Sequence, residues 1–234
     1  MDNENSLDLL TKAIPVLDHG FVKYRHHMGN DTAVIHNARQ SYDAADTAGE
    51  DPEGDAKLLK YLMKNGHNTP FEACSVCIQI KAPIFVVRQW QRHRTQSYNE
   101  LSARYRPLNE EFYVPERTAI TTQSSDNKQM RTEEMHPKAD SIRRQLESAQ
   151  LIAHGLYKAL LADGCPRELA RMVLPVGTYT TFSATANLHN WMNFLRERLH
   201  EHAQYEIQVY AVEVARILSI LYPVTMQTFK ELNS

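Results

Sequence analysis

Glycine-rich phosphate loops are missing from this chain of 234 residues. Its eight glycines are scattered, none forms G-x-G, and no G-x-x-x-x-G-K occurs. A dinucleotide turn or a P-loop is therefore excluded, and any phosphate must be held by arginine forks or helix N-termini. Cysteine is scarce too: three residues give no even disulfide framework, and a reducing cytoplasm is the simplest expectation. Long apolar runs are absent, well short of the roughly eighteen residues a span needs, so no membrane partner is expected. The acidic opening MDNENSLDLL lacks the basic character of a secretory or transit segment. No surplus of positive charge exists either: 26 Lys and Arg stand against 28 Asp and Glu, with pI near 6.6. Duplex binders are usually basic overall, so no nucleic-acid partner is expected and a small anionic ligand is favoured. Eleven histidines include no H-E-x-x-H, and the single C-x-x-C, Cys74 and Cys77, has no second pair, so no metal is expected.

What is present reads as α+β: a single domain over 1–234 with a small, mostly antiparallel sheet and several long amphipathic helices. Asp51 as N-cap, Pro52 at the first helical position and Gly66 as a stop predict a helix. ACSVCIQIKAP alternates Val76, Ile78 and Ile80 with Cys77, Gln79 and Lys81, the pattern of a half-buried strand. There the two cysteines face opposite sides and read as buried structural residues. Pro83 opens a predicted helix through Trp90 towards Arg94. Residues 138–163 and 203–221 read as long amphipathic helices. GTYTTFSATA reads as a strand leading to another helix near Asn187. The polar tract 117–140 reads as a mobile loop or insertion, centred on 117–137, running into a helix. Cys165, before Pro166 at a predicted helix start that could lower its pKa, has no obvious partner base nearby and reads as a non-catalytic thiol.

Chemistry concentrates in RHRTQSYNELSARY, residues 92–105. If the helix reaches Arg94, that residue shares the stripe of Val86, Val87 and Trp90, while Gln89, Arg92 and His93 cluster beside it. The segment that follows changes period. As extended chain it puts Glu100, Ser102 and Arg104 on one side and Leu101, Ala103 and Tyr105 on the other. That wall suits a phosphorylated ligand; an ordinary Glu100–Arg104 ion pair would produce the same pattern. A second cluster, NLHNWMNFLRERLHEH, places Asn187, Arg198 and His202 in one arc beside Trp191 if one helix runs through it. Asn193 projects elsewhere, and Arg167 and Arg171 are i,i+4 neighbours. A single-strand-binding protein using arginine and tyrosine and a Mg²⁺-dependent pyrophosphohydrolase are the competing classes. The acidic balance argues against the first. Adjacent Glu110-Glu111 and Glu133-Glu134 pairs, without helical spacing, argue against the second.

R-H-R followed by seven residues and Ser, Arg92-His93-Arg94 to Ser102, resembles the signature of the flavin-dependent thymidylate synthases. NE-L-S-x-RY, NGHNTPFE (65–72), PRELARMVLP (166–175), NLHNWMNFLRER (187–198) and HAQYEIQ (202–208) extend the resemblance over roughly residues 18–229. It implies reductive methylation of dUMP to dTMP with FAD as redox carrier, 5,10-methylenetetrahydrofolate as carbon donor and NADPH as reductant. It also implies a homotetramer with active sites shared between subunits. Carried over by motif, FAD contacts would come from Arg92, His93, Arg94, Asn99, Asn187, Asn193 and His202. His67, Thr69 and Glu72 would lie near the flavin or folate. Gln89, Glu100, Ser102, Arg104, Arg171 and Arg198 would hold dUMP, with Arg198 also catalytic beside the uracil carbonyls. Many family members carry arginine where this chain has His189.

Overall fold

The computed structural model describes residues 8–233. Its centre is a five-stranded sheet in the order β1-β2-β3-β7-β4, antiparallel at every pairing. The strands are β1 (Ile14–Val16), β2 (Gly20–Met28), β3 (Ser75–Pro83), β4 (Ser97–Glu100) and β7 (Tyr179–Asn187). β3 and β7 are paired from Ser75↔Asn187 to Pro83↔Tyr179, which sets Val76, Ile78 and Ile80 opposite Ala186, Ala184 and Phe182. All six are buried, so the alternation read from the sequence is the pleat of the two central strands.

The helices are α1 (Asp31–Arg39), α2 (Pro52–Lys64), the short α3 (Thr69–Glu72), α4 (Ile84–Trp90), α5 (Ala139–Ala162), the short α6 (Arg167–Ala170), α7 (Leu188–Arg198), α8 (Tyr205–Leu221) and α9 (Pro223–Asn233). All but α5 and α6 contribute buried residues to the core on that apolar face. α8 contributes Ile207, Tyr210, Ala211, Val214, Ile217 and Leu218, at i, i+3, i+4 and i+7 spacing, all buried. Trp90 locks the layers together. Its ring stacks on Phe194 at 4.5 Å and meets Phe182, Trp191 and Tyr210 edge-on at 5.4–6.4 Å. Its indole N–H donates to Gln96 Oε1 at 3.1 Å, so the buried indole nitrogen is paired.

The predicted caps form as read. Asp51 accepts from Gly54 N at 3.0 Å, Pro52 begins α2, and Gly66 takes a left-handed φ of +68° just beyond its end. Gly20 serves a different need: a Cβ there would lie 2.6 Å from Val16 O and 2.8 Å from Lys81 O, so only glycine fits between β1, β2 and the strand beyond.

Four expectations change. The helix after Pro83 stops at Trp90, with Gln91 N donating to Val87 O, so Arg92, His93 and Arg94 occupy a turn and Arg94 shares no helical stripe. The cause lies outside the segment: Tyr98 Oη donates to both Trp90 O (3.0 Å) and His93 O (2.8 Å) and draws the chain back into β4. Extended structure ends at Glu100, because after Leu101 N donates to Thr181 O the chain leaves β7 and turns at Ser102. Leu101 and Tyr105 are consequently exposed, and only Ala103 of the supposed packed side is buried. The helix after Asn187 ends at Arg198, which leaves His202 in a turn and breaks the common arc. Finally, the tract expected to be a mobile loop contains a two-stranded hairpin, β5 (Thr121–Gln123) and β6 (Arg131–Met135). Facing threonines pin it, Thr122 Oγ1 and Thr132 Oγ1 lying 2.5 Å apart.

Candidate active site

Sharp reversal of the chain after α4 brings its last turn, the Arg92–Arg94 turn and β4 together at the edge of the sheet. α7 then delivers Arg198 to the same place. Arg198 Nε donates to His93 Nε2 at 3.0 Å and its Nη2 to Gln89 O at 3.2 Å. Because the imidazole accepts at Nε2, His93 is neutral, and burial, aided by the Arg198 charge, holds its pKa down to about 4. Burial likewise pulls the Arg198 guanidinium below its usual range. Phe194 closes one side of the imidazole edge-on at 5.0 Å. A fork held in this way is preorganised against a neutral partner, so its charge stays available to an incoming anion.

A cleft of about 750 Å³ is lined among others by Arg88, which precedes Gln89 on α4, and by Glu100, Ser102, Arg171 and Thr180. Glu100 does not pair with Arg104. Its Oε1 accepts from Thr180 Oγ1 at 2.8 Å, whereas Arg104 lies 3.5 Å from Glu168 across an exposed ion pair. Both halves of the sequence reading of this segment are thus corrected: neither the alternating wall nor the Glu100–Arg104 pair exists. Ser102 Oγ accepts from Arg104 N at 3.3 Å, and Arg171 Nε donates to Glu168 O at 3.4 Å. Arg104 itself lines a shallow neighbouring depression with Tyr105 and Arg167.

The remaining sequence candidates are dispersed. Arg92 and Arg94 are exposed, as is Asn99 on β4. Among the described residues neither arginine has a carboxylate partner, which fits a role towards phosphates. Asn187 uses Oδ1 to cap α7, accepting from Asn190 N at 2.9 Å. Asn193 is engaged at both ends, with His189 Nε2 at 3.0 Å and Arg196 Nη1 at 2.7 Å. The His189 pKa is lowered by burial, so it enters this contact as a neutral ring rather than as a cation. His202 is exposed and lines a second cleft of about 420 Å³ whose far wall is the β5–β6 hairpin. His67 and Thr69 line a third, of about 500 Å³, with Arg39 and Tyr42, while Glu72 is exposed at the end of α3. One chain therefore gathers Gln89, His93 and Arg198 at one point and Glu100, Ser102 and Arg171 in one cleft, and leaves the rest on other openings.

Sequence reasoning missed Arg88 and Thr180, which share the larger cleft, and Gln204, whose Oε1 accepts from Gln89 Nε2. Arg88 carried a readable signal, one helical turn before Arg92; Thr180 and Gln204 arrive through tertiary pairing alone. Cys74 and Cys77 are free and buried, and burial raises the Cys74 thiol to about 11, so neither is an available nucleophile. Among the described residues no group of three potential ligands could hold a metal ion, and no helix is long and apolar enough to cross a membrane.

Sheet, clefts and exposed arginines define an α+β protein that offers cationic side chains, and no glycine loop, to a ligand. Residues 24–224 match the family model described as thymidylate synthase complementing protein. The chain is 41% identical, over 96% of its length and 80% of the relative's, to the flavin-dependent thymidylate synthase of Rickettsia conorii. It is 45% identical to that of Thermus thermophilus over 93% of its length and 78% of the relative's. The chain belongs to the flavin-dependent thymidylate synthase family. The solved structure of a UMP/dUMP methylase, PolB from Streptomyces cacaoi bound with 5-Br dUMP, superposes with a TM-score of 0.85 at 34% identity. It covers 93% of this chain and 97% of PolB.

Proposed function

We propose that the protein converts dUMP to dTMP, taking the one-carbon unit from 5,10-methylenetetrahydrofolate and the reducing equivalents from NADPH, with FAD as redox carrier, and releasing tetrahydrofolate. The observation that carries this reading is the His93–Arg198–Gln89 knot in one chain with a cleft lined by Arg88, the residue before Gln89, and by Glu100, Ser102 and Arg171, in a fold shared with a structure bound to 5-Br dUMP. When bound, FAD supplies the two-electron redox chemistry. Arg92 and Arg94, being exposed and without a carboxylate partner among the described residues, are the arginines suited to its phosphates, with His93, Asn99, Asn187, Asn193 and His202 completing its contacts. His67, Thr69 and Glu72 would border the flavin or folate from their separate opening.

On this reading Ser102, Arg104 and Arg171 hold the nucleotide phosphate, Glu100 and Gln89 orient the nucleotide, and Arg198 stabilises negative charge on the uracil carbonyls as C5 attacks the carbon unit. Ser102 binds and is not a nucleophile, since among the described residues no base contacts its Oγ, which accepts from Arg104 N. Residues divided among three openings of one chain become one site if neighbouring subunits complete each other, which supports a homotetramer with shared sites. A cytoplasmic location suits the three free thiols. Purified protein should be yellow and should form dTMP only when dUMP, methylenetetrahydrofolate and NADPH are all supplied. Colourless protein that takes up no FAD would overturn the proposal.

A further inference from the structure

The β5–β6 hairpin has no role in the chemistry so far described, yet it is wired to Gln89. Arg131, the first residue of β6, donates from Nη2 to Glu206 Oε1 at 3.1 Å and from Nη1 to Ala119 O at 3.0 Å. Its guanidinium also lies 5.4 Å from the centre of the Tyr205 ring. Glu206 is one of the few buried acids, with its side chain 4% exposed, and its Oε1 accepts a second bond from Tyr113 Oη at 3.2 Å. Its other oxygen accepts from Gln204 Nε2 at 2.7 Å, and Gln204 Oε1 accepts from Gln89 Nε2.

Direction in this chain follows from chemistry. A carboxylate only accepts, so Gln204 must turn its NH₂ towards Glu206 and its carbonyl towards Gln89. Gln89 must then offer its own NH₂ to Gln204, which leaves Gln89 Oε1 facing away. Among the described residues nothing donates to that oxygen. We propose that Arg131 and Glu206 set the polarity of this relay, so that Gln89 presents a carbonyl oxygen which accepts a hydrogen bond from a donor on the pyrimidine nucleotide. The donors such a ligand offers are the ring imide N–H and the 3′-hydroxyl. Arg131, Glu206 and Gln204 are thus positioning residues acting through Gln89, and the hairpin is the part of the fold that supplies the charge anchoring them. This inference rests on the assignment of dUMP as substrate.

The test is steady-state kinetics of the FAD-loaded enzyme with Glu206→Gln, an isosteric change that lets residue 206 donate as well as accept and so releases Gln204 to turn. The dUMP KM should rise about tenfold, the worth of one hydrogen bond, while kcat changes by less than about twofold. In a Gln89→Leu background the same substitution should add nothing. Gln204→Leu, which leaves the Arg131–Glu206 pair intact, should reproduce the effect if Glu206→Gln folds poorly. Dissociation constants for N3-methyl-dUMP and 3′-deoxy-dUMP separate the two donors: the analogue lacking the recognised one should bind about tenfold more weakly than dUMP to wild type and no more weakly still to Glu206→Gln. An unchanged KM in Glu206→Gln and Gln204→Leu, or losses that multiply in the Gln89→Leu background, would overturn the relay. Wild-type enzyme that neither binds nor methylates dUMP would instead remove the assignment beneath it.

Discussion

Replacing Arg198 with methionine should change how His93 titrates, and the direction and size can be worked out. In the native protein the imidazole accepts Arg198 Nε–H and titrates at about 4, against 6.5 when unperturbed. Its proton affinity is lower folded than unfolded, so the unfolded chain binds more protons between those values. Stability is therefore full above about pH 6.5 and is lost as pH falls towards 4. A drop from 6.5 to about 4 is worth roughly 3 kcal/mol at 1.36 kcal/mol per pH unit, and nearer 1–2 kcal/mol once partial solvent exposure is allowed for. Burial is the larger cause and Arg198 the second, so Arg198→Met should raise the His93 pKa only part of the way back to 6.5. His154 and His189 are also lowered by burial and add to the acid sensitivity of the wild type. The difference between the two proteins isolates the part of the His93 shift that Arg198 causes. The assay is an NMR titration of the His93 ring, assigned with His93→Gln, alongside urea unfolding at pH 7 and pH 4.5. A wild-type ring titrating near 6.5, or an identical value in Arg198→Met, would refute the reasoning.

Three further outcomes follow from the site. Arg198→Ala should abolish dTMP formation while flavin absorbance and the thermal melt persist; loss of flavin would assign the residue to the cofactor instead. Arg104→Ala should raise the dUMP KM by less than about tenfold, because its side chain is 58% exposed and its pair with Glu168 is screened, and unchanged dUMP kinetics would remove Arg104 from the nucleotide site. In native protein a thiol reagent at pH 8 should modify Cys165 alone and reach Cys74 and Cys77 only after denaturation. Rapid native modification of two or three thiols would contradict their burial.

Local information sufficed where local physics decides. Asp51, Pro52 and Gly66 mark the ends of α2 because capping involves only residues within one turn. The strands β3 and β7 were legible because a single buried face imposes alternation along them. By contrast β2, GFVKYRHHM, carries a short apolar alternation and then four exposed residues, so its pairing with β3 is apparent only in the sheet. The hairpin at 121–135 was hidden for the same reason, its strands being polar on both faces.

The sequence by itself determined the α+β class, the central strands, the long helices and, through the Arg92-His93-Arg94 to Ser102 motif, the family. Tertiary structure decided what those motif residues do. Tyr98 ends the helix before Arg92 by capturing two carbonyls, β7 releases the chain after Leu101, and Thr180 takes Glu100 away from Arg104. Arg198 meets His93 across 105 residues, and Gln89 meets Gln204 across 115. Periodicity reports which face of an element is buried, but not which distant side chain satisfies a polar group; that is settled only when the layers close.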